Sequence, residues 1–547
     1  MKNSRFLNNI QQQWVDDTFS KMTMEEKVAS LLHPTREGLT AAEVVELLKT
    51  VPFGSIFVSN GRDYTMEQHR EFVKEIQKGA KIPLLISGDL EHGAVMLANA
   101  THFIFPMGVA AAGNPDYARK MGRITALEGR ACGYHWTFSP VADLNLNPNN
   151  PITNIRSFGD EPDRILPYLL GMVEGLQQDG LMAACCKHFP GDGVDDRDQH
   201  MVTSVNSLPF DQWMELYGKI WKTMIDAGVM SIMAGHIALP SYTREIPDEA
   251  LPATLSRKLQ IDLLRNELGF EGVLVSDAAS MIGICSRIKA EDQAWTNIEN
   301  GSDSYLFANP VEDFKQLKKA LYAGKLSEQR VEESARRILE MKARLNLFDD
   351  RAGAVVSEQQ LRQHKEIAAE VARKSVTSLR TAPGRLPVKA PNKKVLTVSL
   401  VRSDSTHAHE DLEEVDAELK KRGFDVTHVK NPPHKLLREA LDIYDMIFVN
   451  IQTSSHATLV LRLTGKAIMP LWRGFFAQKP EKVVFTSFGS PYVLRDLPAI
   501  DNLLCVWSMH PEAQRTAVQA WLGEIPIEGT CPVRLPCTRI RRFEPVD

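Results

Sequence analysis

The chain has 547 residues, 43% hydrophobic and 24% charged, more core-forming material than one domain usually holds, so two domains are expected. A net charge of −5 argues against a nucleic-acid binder, which needs a basic surface to neutralise phosphates. No apolar run reaches the about 18 residues needed to span a bilayer, and the opening MKNSRFLNNIQQQWVDDTF lacks the apolar centre of a secretory signal, so a cytoplasmic protein without a membrane partner is expected.

In chain order, Val28–Leu32 is a short apolar run that opens a series of strands or belongs to a helix. From there to about residue 310, apolar runs alternate with amphipathic stretches. Gly54–Val58, Ile82–Ile86, Trp136–Val141, Leu181–Cys186, Val229–Ala234, Gly272–Val275 and Asp303–Phe307 read as buried strands. Pro115–Cys132 and Leu208–Asp226 read as helices between them. Up to eight strands alternating with helices predict a (β/α)8 TIM-like barrel. Residues 311–381 read as helical throughout, and Pro383, Pro387 and Pro391 punctuate a linker. A second alternation, at Val395–Val398, Met446–Asn450 and Val483–Phe485, predicts a smaller α/β sandwich with an open parallel sheet. The expected division is a barrel domain over 1–350, a helical segment and Pro-rich linker over 351–392, and a C-terminal domain over 393–547. Seven scattered cysteines fit reduced thiols, with Cys185 and Cys186 in the core. Neither a P-loop nor a convincing GxGxxG is present, so no nucleotide cofactor is expected.

Most strand runs end in a polar or ionisable residue: Asp89, Asp143, Lys187 with His188, His236, Asp277 and Asn309. Barrel enzymes gather function at the C-terminal ends of their strands. The densest stretch runs from Lys187 to His200, where Pro190, Gly191 and Gly193 turn the chain into a polar loop. Asp198 and His200 are one residue apart, which lets a carboxylate hold one imidazole nitrogen while the other faces a substrate. Asp277, at a strand mouth, suits a nucleophile attacking an anomeric carbon, with His200 as proton donor and then base. Asp89, Arg156, Lys187 and His188 suit charge-assisted hydrogen bonds to sugar hydroxyls. Simpler readings stand beside these: Asp277 as a helix cap, His188 as a satisfied core histidine, Asp195 and Asp196 as solvated loop charges, His92 and His236 as structural or lining residues.

These residues resemble glycoside hydrolase family 3, in its β-N-acetylglucosaminidase branch. The branch pattern K-H-F-P-G-x-G-x-x-x-x-D-x-H is met in full from Lys187 to His200. Gly272–Asp277 is similar to the nucleophile strand, Asn154–Gly159 to an arginine-bearing loop, and Gly88–Gly93 to a substrate-binding aspartate motif. Phe488–Tyr492 and Gly529–Pro536 resemble the family's C-terminal sandwich. The resemblance implies a retaining enzyme that removes non-reducing-end β-linked N-acetylglucosamine. In it Asp277 is the nucleophile, His200 the acid/base with Asp198 as dyad partner, and Asp89, Arg156, Lys187 and His188 hold the sugar. No metal or organic cofactor is implied, and the partner is a small-molecule carbohydrate. The chain departs from the pattern at Ala278, where a second acidic residue is usual, and at Ala94, where an arginine is common. The compact enzymes of the branch often lack a second domain; here it has three open roles, as a wall of the site, a homodimer contact or a brace for the barrel.

Three other chemistries fit parts of the pattern. A neutral histidine base admits inorganic phosphate without the like-charge penalty of a carboxylate, about 1–4 kcal/mol at contact, which makes a β-N-acetylglucosaminide phosphorylase the first alternative. A β-glucosidase with its acid/base in the second domain would leave the Asp198–His200 pair without a role. A mixed metal site of His188, Asp192, Asp195, Asp196, Asp198 and His200 would be unusually crowded in sequence. A catalytically silent sugar binder would be expected to lack Asp277 or His200, and both are present.

Overall fold

The computed structural model describes residues 7–59, 64–246, 249–349, 353–401, 411–453 and 465–535, so Pro536, the last residue of the Gly529–Pro536 motif, lies outside the described residues. The chain groups into two units. The first draws on Met1–His102, Asp116–Thr153 and Glu161–His364, the second on Phe103–Pro115, Asn154–Asp160 and Lys365–Asp547.

The first unit is a ring of parallel strands: β1 Leu32–His33, β2 Ser55–Phe57, β3 Leu85–Gly88, β4 Trp136–Thr137, β5 Ala183–Phe189, β6 Ser231–Ala234, β7 Val273–Ser276 and β8 Tyr305–Leu306. Ladders join β2 through β7 in this order and pair β8 with β1. The bridges Thr35–Phe57 and Val275–Ser304 close the remaining gaps, so the sheet has no free edge, as the predicted barrel requires. Every residue of these strands is buried, which is why they read as continuous apolar runs rather than alternating ones. Helices return the chain between strands, and three begin with the same device. Thr23, Thr40 and Thr65 each accept from the amide three residues on, while Glu26, Glu43 and Gln68 reach back to the threonine's own N–H.

Some boundaries differ from expectation. Val28–Leu32 divides between the helix Met24–Ser30 and β1. The run Ile82–Ile86 becomes a strand only at Leu85, after Pro83, which has no N–H to give a ladder. β5 does not stop at Cys186 but runs through Lys187 and His188 to Phe189. Residues 311–381 are not helical throughout: after the helices Pro310–Tyr322, Glu328–Arg344 and Glu358–Ser375 comes the strand Thr377–Thr381.

Two buried polar groups brace the barrel. Asp303, just before β8, accepts from the Leu274 amide at 2.9 Å, Arg265 at 2.6 Å, Ser334 at 2.8 Å, Arg337 at 3.1 Å, and also from Arg330. Burial opposes its ionisation, but three guanidinium groups outweigh that and hold the carboxyl far below its ordinary range. The cluster ties the helices Lys258–Glu267 and Glu328–Arg344 to β7. Inside the ring, His33 bonds Ser87 at 2.7 Å and Ser304 at 3.2 Å and packs 5.3 Å from Trp136.

The second unit is a six-stranded sheet of β9 Thr377–Thr381, β10 Lys394–Leu400, β11 Asp425–Lys430, β12 Met446–Ile451, β13 Val483–Ser487 and β14 Asn502–Cys505. Their order is β9-β14-β13-β12-β10-β11, parallel except for the antiparallel edge β9. The alternation of side chains along each strand separates two faces. Leu396, Val398, Ile447 and Val449 pack with Leu437 and Leu441 of the helix His434–Ile443. On the other face Phe448 stacks on Trp521 of the helix Pro511–Trp521, ring centroids 4.3 Å apart. The unit is therefore an α/β sandwich. Two early segments belong to it by contact: Ala111 accepts from the Thr530 amide at 2.9 Å and Asp160 from the Arg534 amide at 2.7 Å. No described helix is long and apolar enough to cross a membrane.

Burial pushes His33 and His69 from the ordinary imidazole value of 6.5 down to about 3. The unfolded chain takes up a proton on each near 6.5, whereas the folded protein resists it until about 3. Stability therefore falls as the pH drops through that window, by about 2 kcal/mol per group at pH 5. The urea midpoint is expected to be lower at pH 5 than at pH 7, and His33→Gln to make that dependence shallower. An unchanged dependence in the variant would mean His33 is not held neutral.

Candidate active site

The ionisable residues gather at the C-terminal ends of β3 to β7. Asp143, fully buried in the loop after β4, organises the group. Its Oδ1 accepts from the backbone amides of His188 at 3.1 Å and Asp192 at 2.8 Å, and its Oδ2 accepts from His188 Nδ1 at 2.7 Å. A carboxylate is acceptor-only, so His188 carries its proton on Nδ1.

The turn after β5 needs its glycines. Gly193 has φ +96°, and a Cβ there would lie 1.8 Å from the Leu144 carbonyl oxygen; at Gly191 it would lie 2.2 Å from the Tyr217 ring. Pro190's carbonyl accepts from the indoles of both Trp213 and Trp221, at 3.1 and 3.0 Å. Asp192 is buried beside Asp143. Burial first, and then that neighbouring carboxylate, push its carboxyl well above the ordinary range, although Asn150 donates to it at 2.7 Å.

Lys187 keeps only 4% of its side chain accessible, and its ammonium bridges Asp89 Oδ1 at 2.9 Å and Glu91 Oε1 at 2.8 Å. Asp89 stays 47% exposed. Glu91 was not singled out from the sequence, although its two-residue spacing from Asp89, in an extended segment, puts both carboxylates on one side. Ala94 is buried in the same loop.

In the loop after β5, His200 Nδ1 donates to Asp198 Oδ1 at 2.7 Å, and the same oxygen accepts the His200 backbone amide at 2.8 Å. Nε2 is the ring nitrogen left for proton exchange, and His200 is 32% exposed. Asp195 is not a solvated loop charge. It accepts from the Val205 amide at 2.8 Å and the Arg197 amide at 3.0 Å and pairs with the Arg197 guanidinium, closing the loop on itself. Asp196 is exposed as expected.

Asp277 follows β7, donating its amide to Ala234 O at 2.8 Å and accepting the Ala278 amide on Oδ1 at 2.8 Å. It does not cap the next helix, Ile282–Cys285, whose N-cap is Met281. Burial opposes its ionisation, but the neighbouring imidazoles of His236, His188 and His200 and the Ala278 amide hold it below its ordinary range. His236 is fully buried, and burial lowers its own protonation. Its Nε2 faces the Ala278 carbonyl at 2.9 Å, so that nitrogen carries the hydrogen, and Nδ1 accepts from Thr254 at 2.9 Å. Asp277, His188, His200 and His236 thus lie within electrostatic reach of one another.

Arg156 is half-buried on the turn Asn154–Arg156, a segment grouped with the second unit. Among the described residues no group of three His, Cys, Asp or Glu is placed to hold a metal ion. A cavity of about 290 Å³, lined by Met22, Phe53, Ile82, Leu339 and Lys342 among others, lies at the N-terminal ends of β1 to β3, away from these residues.

The description "Glycosyl hydrolase family 3 N terminal domain" matches residues 23–341. The chain belongs to glycosyl hydrolase family 3. The "Beta-N-acetylglucosaminidase/beta-glucosidase" of Cellulomonas fimi is 32% identical over 551 residues, covering 96% of each chain. Among solved structures, the β-glucoside phosphorylase BglX bound to 2FGlc superposes with a TM-score of 0.86 at 31% identity, over 96% of this chain and 97% of that one. A family 3 β-N-acetylglucosaminidase from Paenibacillus sp. str. FPU-7 gives 0.82 at 26% identity, over 95% and 100%. In this family 3 chain, the pattern residues Lys187, His188, Asp198, His200 and Asp277 all stand on one end of one barrel.

Asp143→Ala strands three buried donors at once, so a loss of about 3–5 kcal/mol in stability is expected from unsatisfied groups. Urea unfolding would measure it, and a loss below about 1 kcal/mol would show that Asp143 does not organise the turn.

Proposed function

We propose that the protein is a retaining glycosidase that removes β-linked N-acetylglucosamine from non-reducing ends through a glycosyl ester on Asp277. One observation carries this reading. The Asp198–His200 pair has Nδ1 committed at 2.7 Å, and it stands on a loop whose His200 carbonyl accepts from Ile282, in the segment that follows Asp277.

In the first step, a carboxylate oxygen of Asp277 attacks C1 as the bond from C1 to the aglycone oxygen breaks, and His200 Nε2–H protonates that oxygen. The Asp198 carboxylate stabilises the imidazolium this step starts from and fixes the ring by holding Nδ1. In the second step, the now neutral Nε2 takes a proton from the acceptor as its oxygen attacks C1 and Asp277 departs. Two inversions return the β configuration. Asp89 and Lys187 bind sugar hydroxyls, and the Asp89–Lys187–Glu91 contacts hold that ammonium in place; the resemblance alone gives Arg156 the same role. His188 orders the turn through Asp143 and adds a polar edge to the site. The sugar assignment rests on the pattern from Lys187 to His200 and on relatives named as β-N-acetylglucosaminidases; the Cellulomonas relative is named for β-glucosidase activity as well.

A second reading, phosphorolysis, is favoured by two features: the proposed base atom is a nitrogen rather than a carboxylate oxygen, and a similar solved structure is named a β-glucoside phosphorylase. Incubation with a β-N-acetylglucosaminide, with and without phosphate, separates the two. Hydrolysis predicts free β-N-acetylglucosamine at a rate indifferent to phosphate; a phosphate-dependent rate and a sugar 1-phosphate would replace water by phosphate. Paired 4-nitrophenyl substrates, the glucoside and its 2-acetamido analogue, test the sugar.

Asp277→Ala is expected to lower kcat about ten-thousandfold, and activity within tenfold of wild type would remove the nucleophile assignment. His200→Ala is expected to cost about 10²–10⁴-fold on substrates with poor leaving groups and far less on activated aryl glycosides. Equal losses on both would mean His200 is not the acid.

A further inference from the structure

Two carboxylates flank the Lys187 ammonium at nearly the same distance, Asp89 at 2.9 Å and Glu91 at 2.8 Å, but they differ in exposure: Asp89 is 47% accessible and Glu91 12%. The lysine side chain between them is buried. A buried ammonium needs a countercharge, and removing a partner leaves a charge that water cannot reach. Asp89, the open carboxylate, is the one placed to take sugar hydroxyls. Glu91, held away from solvent, is placed to stay with the lysine.

The backbone fixes both ends of this contact. Leu90, between the two carboxylates, is fully buried and donates its amide to Thr137 Oγ1 at 3.1 Å, which ties the segment to β4. Gly93, at φ +106°, brings the chain against the Thr101 carbonyl, where a Cβ would lie 2.2 Å from the oxygen. On the other side, Lys187 donates its amide to Pro140 O at 3.1 Å, and its carbonyl accepts from the Ala142 amide at 2.6 Å. Glu91 and Lys187 therefore meet from two anchored segments, neither of them the loop that carries His200.

We propose that Glu91 is a positioning residue for sugar binding: it holds the Lys187 ammonium and balances its charge, which leaves the open side of Asp89 for substrate hydroxyls. This deepens the glycosidase reading and rests on it. Glu91 touches no substrate in this role. Without its charge, Asp89 becomes the main countercharge of Lys187, and a sugar hydroxyl must compete with that ammonium for the same carboxylate. The loss falls on recognition of the sugar, and it passes through Lys187.

Glu91→Gln keeps the shape of the side chain and removes its charge. It is expected to lower kcat/KM for 4-nitrophenyl β-N-acetylglucosaminide about 10–100-fold, mostly through KM. Lys187→Met is expected to cost about a hundredfold or more, and in that background Glu91→Gln is expected to change kcat/KM by less than about twofold, because the residue it acts through is gone. An equal factor in both backgrounds, a loss confined to kcat, or no loss in either would overturn the assignment. Should a variant fail to fold, the wild-type protein with N-acetylglucosamine bound gives an independent answer. A crystal structure of that complex is expected to keep Glu91 Oε1 within about 3.2 Å of Lys187 Nζ and out of contact with the sugar. A Glu91 bonded to the sugar, or moved off the ammonium, would overturn the assignment as well. Labelling by a 5-fluoro glycosyl fluoride separates the two levels. If wild-type Asp277 is not labelled, the glycosidase reading fails and this proposal with it. If it is labelled while Glu91→Gln costs the same factor with and without Lys187, only the role of Glu91 fails.

Discussion

A single buried carboxylate, Asp143, sets the geometry of the turn that follows β5 at the C-terminal end of this barrel. It accepts two backbone amides and one ring nitrogen, all from the stretch His188–Asp192. The ladder of β5 shifts register between Cys186 and Phe189, and Asp192 lies beyond the strand, so without Asp143 the amides of His188 and Asp192 would be buried donors lacking acceptors. The arrangement has a cost that the chain accepts. A second carboxylate, Asp192, is forced into the same low-dielectric region, where burial and its neighbour both oppose its charge. Asn150, the Gly193 amide and Gln199 offset part of that penalty by donating to it. The Gln199 bond then carries the order onward to His236 and the residue after Asp277.

The two ends of the barrel use charge in opposite ways. Near the start of β7 and β8, Asp303 is surrounded by three guanidinium groups and has no exposed surface. The guanidinium groups favour its charged form against burial, which suits a brace. At the C-terminal end, Asp89 and His200 are each partly open to solvent and each has one side committed to a partner. A group that must gain and lose a proton, or exchange a water for a sugar hydroxyl, needs that one open side. The division follows the general separation of stability and function along a barrel axis, and here it can be read from exposure alone.

The barrel was legible because buried parallel strands leave runs of apolar residues that alternate with amphipathic stretches. Its edges were less so. The strand Ala183–Phe189 runs past its apolar part because Lys187 and His188 find partners, Asp89, Glu91 and Asp143, that lie far away in sequence. The strand Thr377–Thr381 was hidden because its residues, Thr-Ser-Leu-Arg-Thr, prefer a strand only when β14 is already there to pair with them. In the site, Asp277, Asp198 and His200 stood out by local pattern. Glu91 did not, since a carboxylate two residues from Asp89 means nothing until the ammonium that approaches it is known. Asp195 was misjudged for the same reason: its partners, Arg197 and Val205, become its partners only once the loop has closed.

The dyad also bears on which acceptor the site can take. With a carboxylate acid/base, the protein atom that receives the acceptor's proton is an anion. Were His200 the acid/base, as proposed, that atom would be a neutral nitrogen, with the negative charge on Asp198 behind the ring, which accepts from Nδ1 and from the His200 amide. Moving the charge one ring width away from the acceptor weakens its repulsion of an anion, while the Asp198 oxygen still stabilises the imidazolium needed for bond cleavage. For water, an uncharged acceptor, this displacement has little consequence; for phosphate it lowers the barrier to approach. A dyad in that proposed role would therefore serve a hydrolase and a phosphorylase alike in protonating the leaving group. The choice between them rests on the groups that line the approach to Nε2 on its 32% exposed side, where a cation would favour phosphate and its absence would favour water.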